Sequence, residues 1–269
     1  AYTAGLIAKH FALDPLIGLV GAAATAAALG WVTSFLVLRG ADLTRLMVTL
    51  GVALILAEVA NQAAWLTGGA DGLQGVIMPA ILGRFEFDIF GTTAYVYSLA
   101  VTFVLFVIAR RIVVSPFGLS LRAIRDNPLR ARAVGIPVNA RLIAVYTLAA
   151  AYAGVAGALL AQTTQFVSLD VIAFHRSADV LLVLVIGGTG YLYGGLIGAV
   201  VFKLLQDWLA SITPQYWLFW IGLILIVLVL ADRDRLTARL TAAWRARAAG
   251  PASAAPASGP HATPASGER

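Results

Sequence analysis

Residues 93–161 read TAYVYSLAVTFVLFVIARRIVVSPFGLSLRAIRDNPLRARAVGIPVNARLIAVYTLAAAYAGVAGALLA, and this stretch decides the fold. Two apolar runs, Thr93 to Val114 and Arg141 to Ala161, flank a polar segment. At and between their facing ends lie Arg110, Arg111, Arg122, Arg125, Arg130, Arg132 and Arg141, against the single acid Asp126. A bilayer core of about 30 Å asks for roughly 20 consecutive apolar residues from a helix that spans it. A guanidinium at the bilayer centre costs at least about 2.5–3.5 kcal/mol, so a loop this rich in arginine stays where it was made. Segment 115–140 is therefore expected in the cytoplasm.

Working outward, Leu16 to Leu38 and Leu46 to Leu66 are further spans, and Tyr216 to Ala231 is a shorter one. Alternation then places Ala1 to Asp14 outside, Arg39 to Arg45 inside and Thr67 to Gly91 outside. The loops assigned to the exterior carry Asp14, Asp71, Glu86, Asp88 and Asp170 with few bases, while Arg233, Arg235, Arg239, Arg245 and Arg247 follow the last span on the inner side. With 60% hydrophobic and 12% charged residues, the chain lacks the charge, about 25%, that a water-soluble domain carries. The net charge of +6 sits beside the spans, where topology explains it without a nucleic-acid partner. The expected fold is all-α, a polytopic transmembrane helical bundle. Ala1 to Ala8 reads as the tail of a helix, so an N-terminally shortened chain is expected.

Parity constrains the segment 177–209. The chain is inside at Ala140 and inside again at Arg233, and two crossings are already assigned between them. Ser177 to Leu209 must therefore enter and leave on the external face as a glycine-interrupted helical hairpin, either re-entrant or made of two short full crossings. Ser177 is a plausible N-cap with Asp179 in the first turn, and Val180 to Ile186 then meets Gly187, Gly188, Thr189 and Gly190. From Ser177 to Ile186 a helix rises about 15 Å, roughly half the hydrocarbon thickness. A helix broken there is a candidate pathway element, with Gly187, Gly188 and Gly190 at the break. Gly190, Gly194 and Gly198, spaced by four, equally suit a packing ridge, and both readings stand. The glycines do not follow the GxGxxG dinucleotide spacing. Tyr216, Trp217 and Trp220 suit the external interface. Residues 233–248 read as a basic amphipathic cytoplasmic helix with Leu236, Leu240 and Trp244 on one face, and 249–269 as a disordered Pro/Ala/Ser/Gly tail.

Polar residues in the spans are few. Glu58, Asn61 and Gln62 lie about 18–24 Å along their helix from its inner end. Glu58 and Asn61 are candidate pathway residues, with interhelical hydrogen bonding as the alternative. Lys203 and Asp207, spaced i, i+4, are expected to pair, and Gln162 and Gln165 to sit at the outer surface. There is no cysteine, and His10, His175 and His261 fall into no ligand spacing. No GxSxG, HExxH or His/Asp pair marks a catalytic centre, so no catalytic residue, metal or cofactor is expected and the chain is not read as an enzyme. Its only lysines, Lys9 and Lys203, belong to no P-loop, so any ATP site lies on another polypeptide. A stand-alone secondary transporter would need an ionisable cluster at mid-membrane, which is not evident.

Pro116, Pro128 and Pro137 divide the arginine-rich loop into two short helical pieces, about Leu119 to Asp126 and Leu129 to Val134. Leu121 and Ile124 share one face, with Arg122 and Arg125 on another. Such a kinked pair can dock on a cytoplasmic partner, or be basic for topology alone. The stretch GLSLRAIRDNPLRARAVGI, residues 118–136, resembles the coupling loop of permease subunits of branched-chain amino acid ABC importers of the LivM type. The matching positions are Gly118, Leu121, Arg122, Ala123, Ile124, Arg125, Asp126, Asn127, Ala131, Gly135 and Ile136. Three further stretches agree in order. LVLRGADLTRLMVTLGVALILAEV (36–59) has the family's loop and Ala57–Glu58 pair, LTGGADGLQGV (66–76) its TGG-DGL element, and SADVLLVLVIGGTGYLYGGLIGAVV (177–201) its late glycine-rich segment. Many members have Gly-Pro where this chain has Gly194-Gly195.

The resemblance covers Ala1 to about Asp232, making 1–232 a permease domain of the bacterial cytoplasmic (inner) membrane, multi-pass with its C-terminus cytoplasmic. It implies two ATP-binding subunits, a second permease subunit of the LivH type, an external solute-binding protein and surrounding lipid, with no nucleic acid. Coupling loop 115–140 would touch the ATPase. Branched-chain amino acids are the implied solutes, while closely similar subunits serve urea and short-amide import.

Overall fold

A computed structural model describes residues 1–11, 14–38, 42–76, 78–80, 91–188, 190–212, 216, 219–220, 222–224 and 226. The basic helix expected at 233–248 and the tail 249–269 lie outside the described residues, as does most of the span expected from Tyr216 to Ala231. The described elements are α-helical: α1 (Tyr2–Phe11), α2 (Pro15–Val37), α3 (Asp42–Gln62), α4 (Ala64–Thr67), α5 (Thr92–Val114), α6 (Pro116–Asp126), α7 (Pro128–Ala133), α8 (Val138–Thr164), α9 (Phe174–Gly187) and α10 (Gly194–Ile212). Two 3-10 turns, Gly69–Asp71 and Leu169–Ile172, and one isolated bridge between Leu73 and Val167 complete them. The chain divides into two compact units, residues 1–180 and 181–269.

Four of these helices, α2, α3, α5 and α8, are long and apolar enough to cross a bilayer, which bears out the membrane-helix reading. Large apolar side chains along α3 and α5 point outward, including Leu46, Leu50, Leu54, Val96, Phe103 and Val104. A helix apolar on every face finds its solvent in lipid or in other helices. The run Leu46 to Leu66 is not one helix to its end. It breaks at Ala63 (φ −79°, ψ 48°), where the Thr67 hydroxyl turns back onto the Ala60 and Ala63 carbonyls at 2.5 and 2.9 Å.

The first unit is organised by the antiparallel pair α2 and α8. Small residues recur every fourth position on both: Gly18, Ala22, Ala26 and Gly30 on α2, and Ala150, Gly154 and Ala158 on α8. They meet in reverse order, with Gly30 against Ala150, Gly154 against Ala26 and Ala22, and Gly18 against Gln162. A Cβ added at Gly154 would lie 2.5 Å from the Ala26 Cβ and 2.6 Å from the Ala22 carbonyl oxygen. Without water to exclude, membrane helices gain mainly from such close backbone approach. α1 lies over the seam, and its Ala4 is buried with Ala22 and Ala158.

At the α8 C-terminal end, the chain seals itself. Leu73 and Val167 exchange backbone hydrogen bonds of 2.7 and 3.4 Å, and with Ala8, Val76, Met78 and Ala161 they form a buried cluster. Gln162 belongs to this end and is not at the surface as the sequence suggested. It is 1% exposed and donates Nε2–H to the Pro15 carbonyl at 2.7 Å. The reason is register: Gln162 is one turn beyond Ala158 on the small-residue face. Gln165, by contrast, is exposed, in a left-handed conformation that ends α8.

α9 runs across the boundary of the two units. It begins at Phe174, three residues before the expected Ser177 cap, because the preceding 3-10 turn delivers the Ala173 carbonyl to Arg176 N at 3.1 Å. In the second unit α9 and α10 cross at glycines. A methyl at Gly187 would overlap the Gly194 carbonyl oxygen, and one at Gly198 would lie 2.8 Å from Gly187 N. Leu182 and Phe202 are buried beside the crossing. The packing ridge is thus Gly187, Gly194 and Gly198; Gly190, expected in it, faces open space in the turn. Lys203 Nζ donates to Gln206 Oε1 at 2.9 Å instead of pairing with Asp207.

Candidate functional site

The arginine-rich loop folds as an elbow whose shape is written in its caps. Ser115 ends α5, donating its N–H to the Arg111 and Ile112 carbonyls, and starts α6, its Oγ accepting from Gly118 N at 3.4 Å. Pro116 follows at the first helical position, where a missing N–H costs nothing. Asn127 repeats the device. Its N–H closes α6 on the Ala123 carbonyl at 3.1 Å, its Oδ1 accepts from Arg130 N at 3.0 Å, and Pro128 begins α7. Both helices therefore start at their prolines, earlier than the sequence expectation. α7 ends at Gly135 (φ +90°), with Gly135 N on the Arg132 carbonyl and Ile136 N on the Ala131 carbonyl, each at 3.0 Å. This is a Schellman close, and Ile136 packs against the buried cluster that contains Ala131.

These caps sort the candidate residues by role. Ile124, Ala131 and Val138 are buried together, with Leu121, Ile136 and Leu142 packed around them, so the elbow has its own small core resting on the first turns of α8. Arg141 lies over the Phe117 ring at 5.2 Å from its centroid, a second tie between α8 and the elbow. A Cβ at Gly118 would overlap the Val113 carbonyl, so glycine there lets α6 fold against the end of α5. Arg122, Ala123, Arg125, Asp126 and Asn127 face outward. The Arg125 Nε to Asp126 Oδ1 contact, 3.5 Å, is open to solvent and adds little to stability.

Three outward residues were not singled out from the sequence. Leu119, Leu129 and Val134 are 58%, 73% and 77% exposed on an elbow otherwise coated in guanidinium groups. The signal was present for Leu119, which lies off the α6 face defined by Leu121 and Ile124, whereas Leu129 and Val134 lie beyond the Pro128 break, where that face no longer applies. Exposed apolar knobs ringed by cations are the makings of a protein-docking surface.

The candidate pathway residues fall into two places. Glu58 and Asn61 are exposed on the last turns of α3, where Gln62 Nε2 donates to Glu58 Oε1 at 2.8 Å. Gly187, Gly188 and Gly190 belong to the second unit. Gly188 adopts φ +91° as α9 ends. Next to α3, the TGG-DGL element is a chain of tight turns. Gly68 (φ +79°) and Gly72 (φ +73°) take backbone conformations that L side chains avoid, and Thr67 Oγ1 accepts from Gly69 N at 3.2 Å. Before α9, Asp170 Oδ2 accepts from Arg176 at 2.6 Å, and its Oδ1 lies 2.9 Å from His175 Nε2, a His/Asp pair that the sequence did not reveal. Among the described residues no group of three or more His, Cys, Asp or Glu is placed to hold a metal ion.

Over residues 1–229 the chain matches the family described as the permease component of branched-chain amino acid transport systems. It is 28% identical over 256 residues to the "High-affinity branched-chain amino acid transport system permease protein LivM" of Salmonella typhimurium, and 26% identical over 256 residues to the protein of that name from Escherichia coli. Each alignment covers 85% of this chain and 59% of the relative. It is also 25% identical over 246 residues to the "Probable branched-chain amino acid transport permease protein LivH" of Methanocaldococcus jannaschii, covering 86% of this chain and 76% of that one. The chain thus spans about three-fifths of the length of the LivM relatives. No solved structure matches it.

Proposed function

The chain belongs to the branched-chain amino acid transport permease family, and from that premise we propose that it is a translocation subunit of an ATP-driven importer, working with subunits that hydrolyse ATP. The single observation that carries this reading is the elbow. Its inward face is satisfied by Ile124, Ala131 and Val138, while Leu119, Leu129, Val134, Arg122 and Arg125 stay exposed among the described residues. A loop made basic only for topology would need neither a packed core nor apolar residues facing outward.

In this reading the elbow lies in the cytoplasm and seats in a groove of an ATP-binding subunit, two of which serve two permease subunits, the second of the LivH type. An external solute-binding protein delivers the solute. The inner membrane of a bacterium is the setting, and the C-terminus lies on the elbow's side. ATP-driven closure of the ATPases pulls the elbows and exchanges inward and outward access. The solute is a branched-chain or related small hydrophobic amino acid, and urea or short amides are the second choice. Glu58, Asn61 and the glycines Gly187, Gly188 and Gly190 stand as pathway candidates.

The test is Arg122→Glu combined with Arg125→Glu, followed by co-purification with the ATP-binding subunits and uptake of labelled leucine and labelled urea. The expected outcome is loss of both association and uptake, with leucine the solute that the parent chain imports. Undiminished association and uptake in the double variant refute the coupling role, and urea uptake alone reassigns the solute.

A further inference from the structure

We propose that Thr67, Gly72, Leu73 and Val167 form a clasp that makes the polar end of α3 move as one body with α8, so that displacement of the elbow is carried along α8 to Glu58 and Gln62. The inference rests on the elbow being the point where force enters. It adds where that force goes.

The connection can be followed atom by atom within the first unit. The elbow is fixed to α8 through the buried contacts of Val138 with Ile124 and Ala131, and through Arg141 over Phe117. α8 then runs 27 residues without a break, about 40 Å at 1.5 Å per residue. Past its end, Val167 is 1% exposed and Leu73 3% exposed, and the two exchange both backbone hydrogen bonds. Gly72 is pressed against the same segment: a Cβ there would lie 2.6 Å from the Val167 carbonyl oxygen. From Gly72 the chain of bonds returns to α3. Gly72 N–H reaches the Gly69 carbonyl at 3.2 Å, Gly69 N–H reaches Thr67 Oγ1, and Thr67 Oγ1 lies 2.5 Å from the Ala60 carbonyl oxygen. Ala60 stands between Glu58 and Gln62, the pair joined at 2.8 Å. Close-packed, hydrogen-bonded connections of this kind shift as units and do not stretch. The four residues are positioning residues: they set where Glu58 and Gln62 stand without needing to touch solute.

The absence of cysteine permits a direct test. Leu73 and Val167 form a hydrogen-bonded antiparallel pair, whose Cα separation of about 5.5 Å suits a disulfide. Leu73→Cys with Val167→Cys is oxidised in the complete assembly, and labelled-leucine uptake and ATP hydrolysis are measured before and after. A clasp that stays shut throughout the cycle keeps most of its uptake when cross-linked. Thr67→Val, which removes the hydroxyl at constant size, should lower uptake about tenfold, an ordinary coupling energy, while ATP hydrolysis and subunit association persist. Thr67→Ser should restore uptake. Loss of uptake on oxidation that a reductant reverses would overturn the proposal, because the clasp would then have to open. Normal transport by Thr67→Val would overturn it as well. A parent chain that binds no ATP-hydrolysing subunit removes the reading beneath the clasp, and is recognised by failed co-purification before any variant is made.

Discussion

The Gln162 amide is buried where α8 meets the start of α2, with its N–H on the Pro15 carbonyl and its Oε1 without a partner among the described residues. Its substitutions separate two costs. Gln162→Leu loses one hydrogen bond but also removes an unpaired acceptor, so a destabilisation of about 1 kcal/mol or less is expected. Gln162→Glu places a carboxylate against a carbonyl oxygen, a burial that costs several kcal/mol unless the group is protonated. Thermal unfolding of the detergent-solubilised protein should show a small shift for the first and a large one for the second. Equal shifts would mean that the amide N–H does not hold Pro15. Gly154 offers a steric counterpart. Gly154→Val pushes a branched side chain into Ala22 and Ala26, and overpacking of about 1–3 kcal/mol is expected in the same assay.

Among the elements, the elbow depends on two repeats of one device, a capping side chain followed by proline. Asn127→Ala keeps the length of both helices but leaves Arg130 N without its acceptor, at a cost of about 1 kcal/mol. If the angle between α6 and α7 matters for coupling, Asn127→Ala should reduce labelled-leucine uptake and Asn127→Asp should recover it, since the aspartate oxygen caps equally well. Unchanged uptake in the alanine variant would show that the buried core of Ile124, Ala131 and Val138 sets the angle alone. The α9–α10 crossing is governed by backbone contact. Gly187→Ala should weaken it more than Gly190→Ala, because only the first collides with Gly194. Proteolysis that finds the two variants equally resistant would count against the crossing.

For the whole molecule, sidedness is the property on which transport turns. The antiparallel α2–α8 pair puts the Leu73 and Val167 segments at one end and the elbow at the other. Charge then supplies the sign. Single substitutions Asp71→Cys and Asp126→Cys, each in the cysteine-free chain, should behave oppositely toward an impermeant thiol reagent applied to intact cells. The cysteine at position 71 is expected to react at once, and that at 126 only after permeabilisation. Reaction at 126 in intact cells would invert the topology and leave the elbow facing the wrong compartment.

The amino-acid sequence by itself determined the apolar helices, the grouping of arginines in one loop and the punctuation of that loop by Pro116, Pro128 and Pro137. These follow from costs that act locally: a buried guanidinium and an N–H missing at proline. The tertiary structure alone decided which small residues meet, that Gln162 turns inward while Gln165 does not, that Gly187 replaces Gly190 in the crossing, and that Leu73 finds Val167. Those outcomes depend on the register between segments far apart in the chain. Many helices carry a small residue every fourth position, and only packing selects the pair that closes.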